Sequence, residues 1–152
     1  MDDELLIQNV MAKVNVAFVK LRYDKGALAK IGCPANHRLS KYPFGCCSDA
    51  SIVLKRALEK NNVSGITYCK AIYPGDSTHF WLKWGEYHID ITCQQEPHFE
   101  LGRLVFDRSH PLFEKQNELP CSICEFPSLI IPAEENAYFS KLTKTIFSIC
   151  GY

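Results

Sequence analysis

Residues 78–93 read Thr-His-Phe-Trp-Leu-Lys-Trp-Gly-Glu-Tyr-His-Ile-Asp-Ile-Thr-Cys, two strand-like runs on either side of Gly85-Glu86. Aromatic and β-branched side chains favour strands, and a two-residue connection that begins with Gly is typical of a tight hairpin turn. Such a turn sets residue 84 opposite 87, 82 opposite 89 and 80 opposite 91. The stretch therefore predicts an antiparallel hairpin.

Alternation along the two predicted strands divides their side chains between two faces. The apolar face carries Phe80, Leu82, Trp84, Tyr87, Ile89 and Ile91, and the polar face carries His79, Trp81, Lys83, His88, Asp90 and Thr92. On the polar face Asp90 is the diagonal neighbour of His79, at a backbone separation of roughly 7–8 Å that a side-chain hydrogen bond can span. A turn of odd length would place the two on opposite faces. We expect the apolar face to form the core, and His79→Ala to cost far less stability than Leu82→Ala.

The elements around the hairpin follow from periodicity. Apolar residues recur at helical spacing over 4–23, with Gly26 as the stop signal, over 47–60, and over 133–149, where Pro132 opens the helix. Residues 31–45 are expected to form a loop. Strands are expected at 66–73, 78–84 and 87–93, with further strands at 102–107 and 128–131. Helices before and after a run of adjacent strands predict an α+β fold with an antiparallel sheet.

Length and composition limit the possible classes of protein. The chain of 152 residues predicts a single domain over 1–152, and a hydrophobic content of 47% excludes a disordered chain. Seventeen Lys and Arg balance 17 Asp and Glu, without the basic excess of a nucleic-acid-binding protein. No apolar stretch reaches the roughly 20 residues of a membrane helix, and the acidic start is unlike a secretory signal. We expect a cytoplasmic protein without nucleic-acid or membrane partners, while delivery into another cell stays open.

Eight cysteines would indicate disulfides only in a secreted protein. Cys121-Ser-Ile-Cys124 has the spacing of half a zinc site, but no second pair supplies the remaining ligands. Ordinary thiols, a redox pair and a metal site all stay open for these two residues, and we favour ordinary thiols. We therefore expect no cofactor and no metal.

The stretch Tyr42-Pro-Phe-Gly-Cys-Cys-Ser-Asp-Ala-Ser51 delivers a cysteine to the first turn of the helix over 47–60. Unpaired N–H groups and the helix dipole favour negative charge there and lower the pKa of a thiol. Cys47 is therefore the candidate nucleophile, and its backbone N–H is the candidate donor to an oxyanion. In the alternative interpretation Ser48 or Asp49 caps the helix and Cys47 is inert.

Cys47, His79 and Asp90 together have the residue types of a thiol acyl-transfer site. Cys47 would attack a carbonyl carbon, and His79 would take the thiol proton and later return one to the leaving group. Asp90 would orient the imidazole and stabilise its cation. The alternatives are a surface histidine on a strand and a solvated carboxylate. His88 shares a face with Asp90 and is a second candidate base.

Three segments, Pro43-Phe-Gly-Cys-Cys-Ser-Asp-Ala-Ser51, His79-Phe-Trp-Leu82 and Ile89-Asp-Ile-Thr92, resemble the transglutaminase-like branch of the papain-like Cys-His-Asp superfamily. Its members show a Pro-x-Gly-x-Cys-x-x-x-Ser helix start, a His-x-Trp strand, and a second strand with Asp followed by a hydroxyl residue. The match covers residues 38–95. The resemblance implies that Cys47 rather than the adjacent Cys46 is the nucleophile, with His79 as base and Asp90 as orienting acid. It also implies a papain-like fold, in which the nucleophile-bearing helix packs on an antiparallel β-sheet.

The same resemblance implies thiol attack on an amide carbon of a protein or peptide substrate, through an acyl-enzyme. Water as the acceptor gives a cysteine protease or a protein glutamine deamidase, which we expect, and an amine gives a transglutaminase. A non-catalytic protein-binding module that retains the fold, and a small zinc or redox protein using Cys121 and Cys124, are the other classes. The sequence leaves the oligomeric state open.

The surroundings of the predicted site are less defined by the sequence. Tyr42, Phe44 and Trp81 are candidates to line a substrate groove, although packing is the more common role of aromatic side chains. Residues 96–132, with His98 and His110, receive no role.

Overall fold

The computed structural model describes residues 2–34, 37–93, 104–114 and 120–152. The helices are α1 (Asp3–Tyr23), α2 (Lys25–Lys30), α3 (Cys47–Lys60), α4 (Pro111–Glu114) and α5 (Ala133–Cys150), with a 3-10 turn at Arg38–Lys41. The strands are β1 (Ile66–Ile72), β2 (Thr78–Trp84), β3 (Tyr87–Asp90), β4 (Val105–Asp107) and β5 (Ser122–Phe126). They form one five-stranded sheet in the order β4-β3-β2-β1-β5, in which every neighbouring pair is antiparallel. The fold is α+β with helices packed on an antiparallel sheet, and the prediction of this class is confirmed.

The hairpin has the predicted register. Leu82 pairs with Ile89 and Trp84 with Tyr87, and Gly85 has a φ of 55° as the first residue of the turn. Positive φ at this position is what a tight hairpin turn with a leading glycine requires. The second strand ends at Asp90 rather than at residue 93, because Asp90 Oδ1 accepts hydrogen bonds from the Thr92 N–H at 2.7 Å and the Thr92 hydroxyl at 3.0 Å. This local side-chain turn replaces the next pair of the ladder.

The larger core lies between the apolar face of the sheet and helices α1, α3 and α5, which pack against one another. Every residue of the predicted apolar stripe of α3 is buried: Ala50, Val53, Leu54, Ala57 and Leu58. Leu82 and Ile89 of the hairpin are completely buried against this cluster. The apolar stripe of α3 and the apolar face of the hairpin therefore pack into one core, as the sequence predicts. No helix in the described part of the chain combines the length and apolar character needed to cross a membrane.

The polar face of the hairpin is not a solvated surface. A second cluster covers it, formed by Cys69, Ala71, Trp81, Cys93, Val105 and Leu112. His79 and Trp81 have no solvent exposure, and Asp90 retains 2%. The expectation of a small stability cost for His79→Ala is therefore wrong, because removing a partner from a buried charge is strongly destabilising.

Three expected elements differ from the structure. Gly26 does not end the first helix, since the Asp24 side chain accepts the Ala27 N–H at 2.9 Å and starts α2 around it. Residues 128–131 form no strand, and Ile130 is 95% exposed. The free edge of β1 is instead occupied by β5, whose Glu125 accepts from Thr67 on β1 and from Lys83 on β2. Of the strand expected at 102–107, residues 102 and 103 lie outside the described residues, and β4 begins at Val105, so Leu104 is not part of it.

The hairpin core supplies a stability test. We expect Leu82→Ala and Ile89→Ala each to lower the free energy of unfolding by about 2–5 kcal/mol, because each removes methylene groups from a fully packed site. Ile130→Ala is the matched control: it removes a similar side chain from an exposed position, so its effect stays within about 0.5 kcal/mol. Guanidinium unfolding of the three variants measures these differences. Equal effects of Ile89→Ala and Ile130→Ala would contradict the assignment of the core face.

Candidate active site

Two elements of the sheet bring His79 and Asp90 together. His79 lies on β2 and Asp90 ends β3, and the hairpin register makes them diagonal neighbours. His79 Nε2 lies 2.6 Å from Asp90 Oδ2, and both side chains are buried. The distance is that of a strong, charge-assisted hydrogen bond. The predicted contact between the two residues is therefore present.

The third predicted residue, Cys47, is the first residue of α3 and is 8% exposed. Its thiol shares a side-chain hydrogen bond with His79. Because His79 Nε2 is directed at Asp90, Nδ1 is the ring nitrogen available to the thiol. The structure thus brings Cys47, His79 and Asp90 into one hydrogen-bonded chain.

Electrostatics favour a charged imidazole at the centre of this chain. Burial alone would lower the pKa of His79, but the Asp90 charge and the hydrogen bonds to Asp90 and Cys47 raise it to about 10. Burial favours the neutral form of Asp90, yet the charge of His79 and hydrogen bonds from His110 and His79 hold the pKa of Asp90 well below its usual range. A cationic imidazole beside a thiol favours the thiolate, which is the nucleophilic form.

Cys46 has a different environment from its neighbour. It is fully buried, and its thiol donates to the backbone carbonyls of Arg38 at 3.2 Å and Phe44 at 3.4 Å. Burial and the nearby Asp49 charge raise the pKa of Cys46 to about 12. Of the two adjacent cysteines, Cys47 is the one beside an imidazole, while Cys46 is held as a neutral thiol.

The first turn of α3 is anchored without a side-chain cap. No side chain caps the helix at Cys46, and Asp49 instead accepts from Arg38 Nε at 2.5 Å and from Arg38 Nη2 at 2.9 Å. The Tyr138 hydroxyl of α5 donates to the same carboxylate at 2.6 Å. The alternative in which Ser48 or Asp49 caps the helix is therefore wrong. Asp49 ties the turn that carries Cys47 to α5 and to the 3-10 turn.

His88, the second candidate base, is engaged elsewhere. Its Nδ1 accepts the Trp81 indole N–H at 2.9 Å. Burial is the largest cause that lowers the pKa of His88 to about 4, and the nearby Lys83 charge acts in the same direction. The hydrogen bonds of Asp90 go to His79, Thr92 and His110. The structure therefore joins His79, and not His88, to the carboxylate.

His110 is the site residue that the sequence did not reveal. It precedes α4 and is completely buried, and its Nε2 lies 3.0 Å from the same Asp90 oxygen that contacts His79. No periodic pattern distinguishes His110 from His98, which lies outside the described residues. Only the pairing of β4 with β3 brings the segment over 104–114 to Asp90.

The buried atoms of His79, Asp90 and His110 are close enough to hold a metal ion, within 4.8 Å of one another. The hydrogen bonds fit a different arrangement. His110 Nδ1 accepts the Leu112 N–H at 3.2 Å, so the proton of a neutral ring is on Nε2, which then donates to Asp90. A protonated nitrogen has no lone pair for a metal. The trio therefore fits two N–H donors on one carboxylate better than a cation site.

The other predicted features separate in space. Cys121 packs against the second cluster, whereas Cys124, three residues along an extended chain, is exposed on the opposite face of the sheet. Cys121 and Cys124 therefore do not form one redox or metal site.

The aromatic candidates for a substrate groove have different exposures. Tyr42 stacks on Phe18 with ring centroids 4.9 Å apart and is buried, as is Trp81, so neither lines a groove. Phe44 is 48% exposed.

Comparison of the chain with protein-family models, with curated proteins and with solved structures finds no match.

The coupling of His79 to Asp90 predicts a pH-dependent stability. The raised pKa of His79 stabilises the fold at pH values below the ordinary pKa of histidine. This contribution is lost as the pH rises toward about 10. The lowered pKa of Asp90 stabilises the fold at pH values above the ordinary pKa of aspartate. This contribution is lost as the pH falls. We expect the excess stability of the wild type over Asp90→Asn to be greatest between about pH 4 and 6.5.

Unfolding in guanidinium at fixed pH values measures this difference. Asp76→Asn is the control: Asp76 is exposed on the turn between β1 and β2 at a φ of 63°, which Asn tolerates, so its profile should follow the wild type. A difference between wild type and Asp90→Asn that stays constant up to pH 10 would show that Asp90 does not hold the proton of His79.

Proposed function

We propose that this protein is a cysteine hydrolase of the papain-like, transglutaminase-like type, acting on an amide bond of a protein or peptide. The observation that carries the proposal is the chain from the Cys47 thiol through His79 to a buried Asp90 at 2.6 Å. These residue types in this order are those of a thiol nucleophile, a general base and an orienting acid. The compartment in which it acts, proposed from the sequence, is the cytoplasm.

The architecture supports the proposal. The helix that begins at Cys47 packs on the strand that carries His79, and the Ser51 hydroxyl donates to the Phe80 carbonyl at 3.3 Å. This bond fixes the first turns of α3 against β2, one residue from His79. The arrangement agrees with the nucleophile-bearing helix on an antiparallel sheet that the sequence resemblance implies.

The proposed reaction has two stages. The Cys47 thiolate attacks the amide carbon, and the oxyanion that forms is stabilised by the Cys47 N–H at the start of α3. His79 gives its proton to the leaving amine as the C–N bond breaks, which leaves a thioester. A water then attacks the thioester while His79 accepts its proton, and the C–S bond breaks, which releases the carboxylic acid and restores the Cys47 thiolate beside the protonated His79. Asp90 stays ionised throughout and stabilises the imidazolium.

The identity of the amide determines the name of the activity. Cleavage of a backbone amide is proteolysis, hydrolysis of a glutamine side chain is deamidation, and an amine in place of water gives transglutamination. We favour hydrolysis. A non-catalytic protein-binding module with the same fold is the second candidate, and it requires an unreactive Cys47.

Thiol reactivity tests the proposal first. We expect limiting iodoacetamide to label Cys47 selectively below pH 7, because the His79 cation maintains a thiolate there. His79→Gln should slow this labelling by about tenfold or more, since one unit of thiol pKa is a tenfold change in thiolate. Adducts are located by mass spectrometry of the native protein.

Two matched variants serve as controls. Cys46→Ala removes the neighbouring thiol and should leave the labelling of Cys47 unchanged. His88→Asn keeps an acceptor for the Trp81 indole and should also leave it unchanged. Slow, uniform labelling of all cysteines that His79→Gln does not alter would overturn the enzyme proposal and favour the binding module.

Activity distinguishes the amide classes. We expect the wild type, but not Cys47→Ala, to produce either new peptide amino termini or ammonia from glutamine-containing peptides. Cys46→Ala should retain the activity. Incorporation of an added primary amine in place of hydrolysis would reassign the protein as a transglutaminase. Activity retained in Cys47→Ala would exclude this thiol mechanism.

A further inference from the structure

One carboxylate oxygen at the proposed site serves two imidazoles. Asp90 Oδ2 lies 2.6 Å from His79 Nε2 and 3.0 Å from His110 Nε2, and all three side chains are buried. The other oxygen, Oδ1, is occupied by the Thr92 backbone and hydroxyl. The proposed roles of nucleophile, base and orienting acid are filled by Cys47, His79 and Asp90 without His110. The contact of His110 with the same oxygen is therefore not explained by those roles.

His110 is held as a neutral donor. Its Nδ1 accepts the Leu112 N–H at 3.2 Å, which places the ring proton on Nε2, facing Asp90. The imidazole stacks on Trp81 with ring centroids 4.4 Å apart and an angle of 24° between the planes. The stack and the backbone bond together fix the direction in which the Nε2–H points.

We propose that His110 is a positioning residue. It shares the Asp90 Oδ2 atom with His79 as a second hydrogen-bond donor, and so limits how tightly Asp90 holds the proton of His79. The proposal rests on the proposed function, because its consequence is the ease with which His79 returns its proton. A hydrogen bond to the charged form of a carboxylate lowers its basicity. A less basic Asp90 stabilises the imidazolium less, and an imidazolium that is held less strongly is a better proton donor to a leaving amine.

Within residues 2–34, 37–93, 104–114 and 120–152, the charges that affect the His79 proton come from Asp90 and from Cys47 on α3. His88 of β3 faces His110, with ring centroids 5.9 Å apart, and it is a neutral acceptor from Trp81. The described part of the chain also places thiols and phenols nearby: Cys69, Tyr73, Cys93 and Cys121 in or against the second cluster, and Tyr42 near Asp90. The Lys83–Glu125 ion pair lies farther along the same face. His110 is thus the neutral group that directly competes with His79 for Asp90.

Nitrogen-15 NMR of the wild-type protein tests the arrangement without any mutation. We expect His110 to be neutral, with its proton on Nε2, from pH 5 to 9. We also expect two exchange-protected imidazole N–H protons, one from His79 and one from His110. A His110 proton on Nδ1, or a cationic His110 in this range, would overturn the proposal even if no variant folds.

Two variants isolate the hydrogen bond from the packing. His110→Phe keeps a ring on Trp81 but has no donor, and His110→Gln restores an N–H that can reach Asp90. Both variants lose the acceptor for the Leu112 N–H, so the difference between them reports on the N–H that donates to Asp90. We expect the NMR titration of His79 in His110→Phe to move upward by about half a pH unit, a threefold change in proton affinity, with return toward wild type in His110→Gln.

The outcomes separate this inference from the proposed function. An unchanged or lowered His79 titration in His110→Phe, or the same value in the Phe and Gln variants, would overturn the role of His110. Selective labelling of Cys47 in the wild type would still support the hydrolase. Absence of that labelling would remove the hydrolase and, with it, the catalytic consequence of His110.

Discussion

The hydrogen bond between His79 and Asp90 is the interaction on which the rest of the structure depends. A buried carboxylate costs several kcal/mol unless its charge is paired and its lone pairs are used. Here Asp90 meets that requirement with donors from three places: His79 across the hairpin, Thr92 in its own turn, and His110 from the segment before α4. The charge of one side chain thus fixes where the second strand ends and where the next segment lies.

The two faces of the sheet have different tasks. The face toward α1, α3 and α5 is apolar and supplies the main core. The opposite face packs Trp81 against the imidazoles of His88 and His110, and all three side chains are buried. Exclusion of water strengthens each hydrogen bond there. A site that needs a fixed proton position gains from this covering, although its ionisable groups reduce the stability that an apolar face would provide.

The nucleophile candidate is held by a separate set of contacts. The Asp49 carboxylate connects the first turn of α3 to Arg38 and Tyr138, and the Ser51 hydroxyl connects the next turn to β2. These contacts aim the turn without capping it, so Cys47 stands at the helix start beside His79. Cys46 is turned inward to backbone carbonyls by the same geometry. Burial and the nearby Asp49 charge therefore hold Cys46 as a neutral thiol, whereas Cys47 lies beside an imidazole.

The sequence by itself determined the hairpin, the register that brings His79 to Asp90, and the helix that starts at Cys47. These features depend on periodicity, turn chemistry and neighbours within a few residues, which a sequence displays directly. Only the tertiary structure decided that the polar face is buried, that β5 rather than residues 128–131 completes the sheet, and that His110 joins Asp90. Each of these depends on contacts between segments distant in the chain, whose gain in burial and hydrogen bonding outweighs local preference.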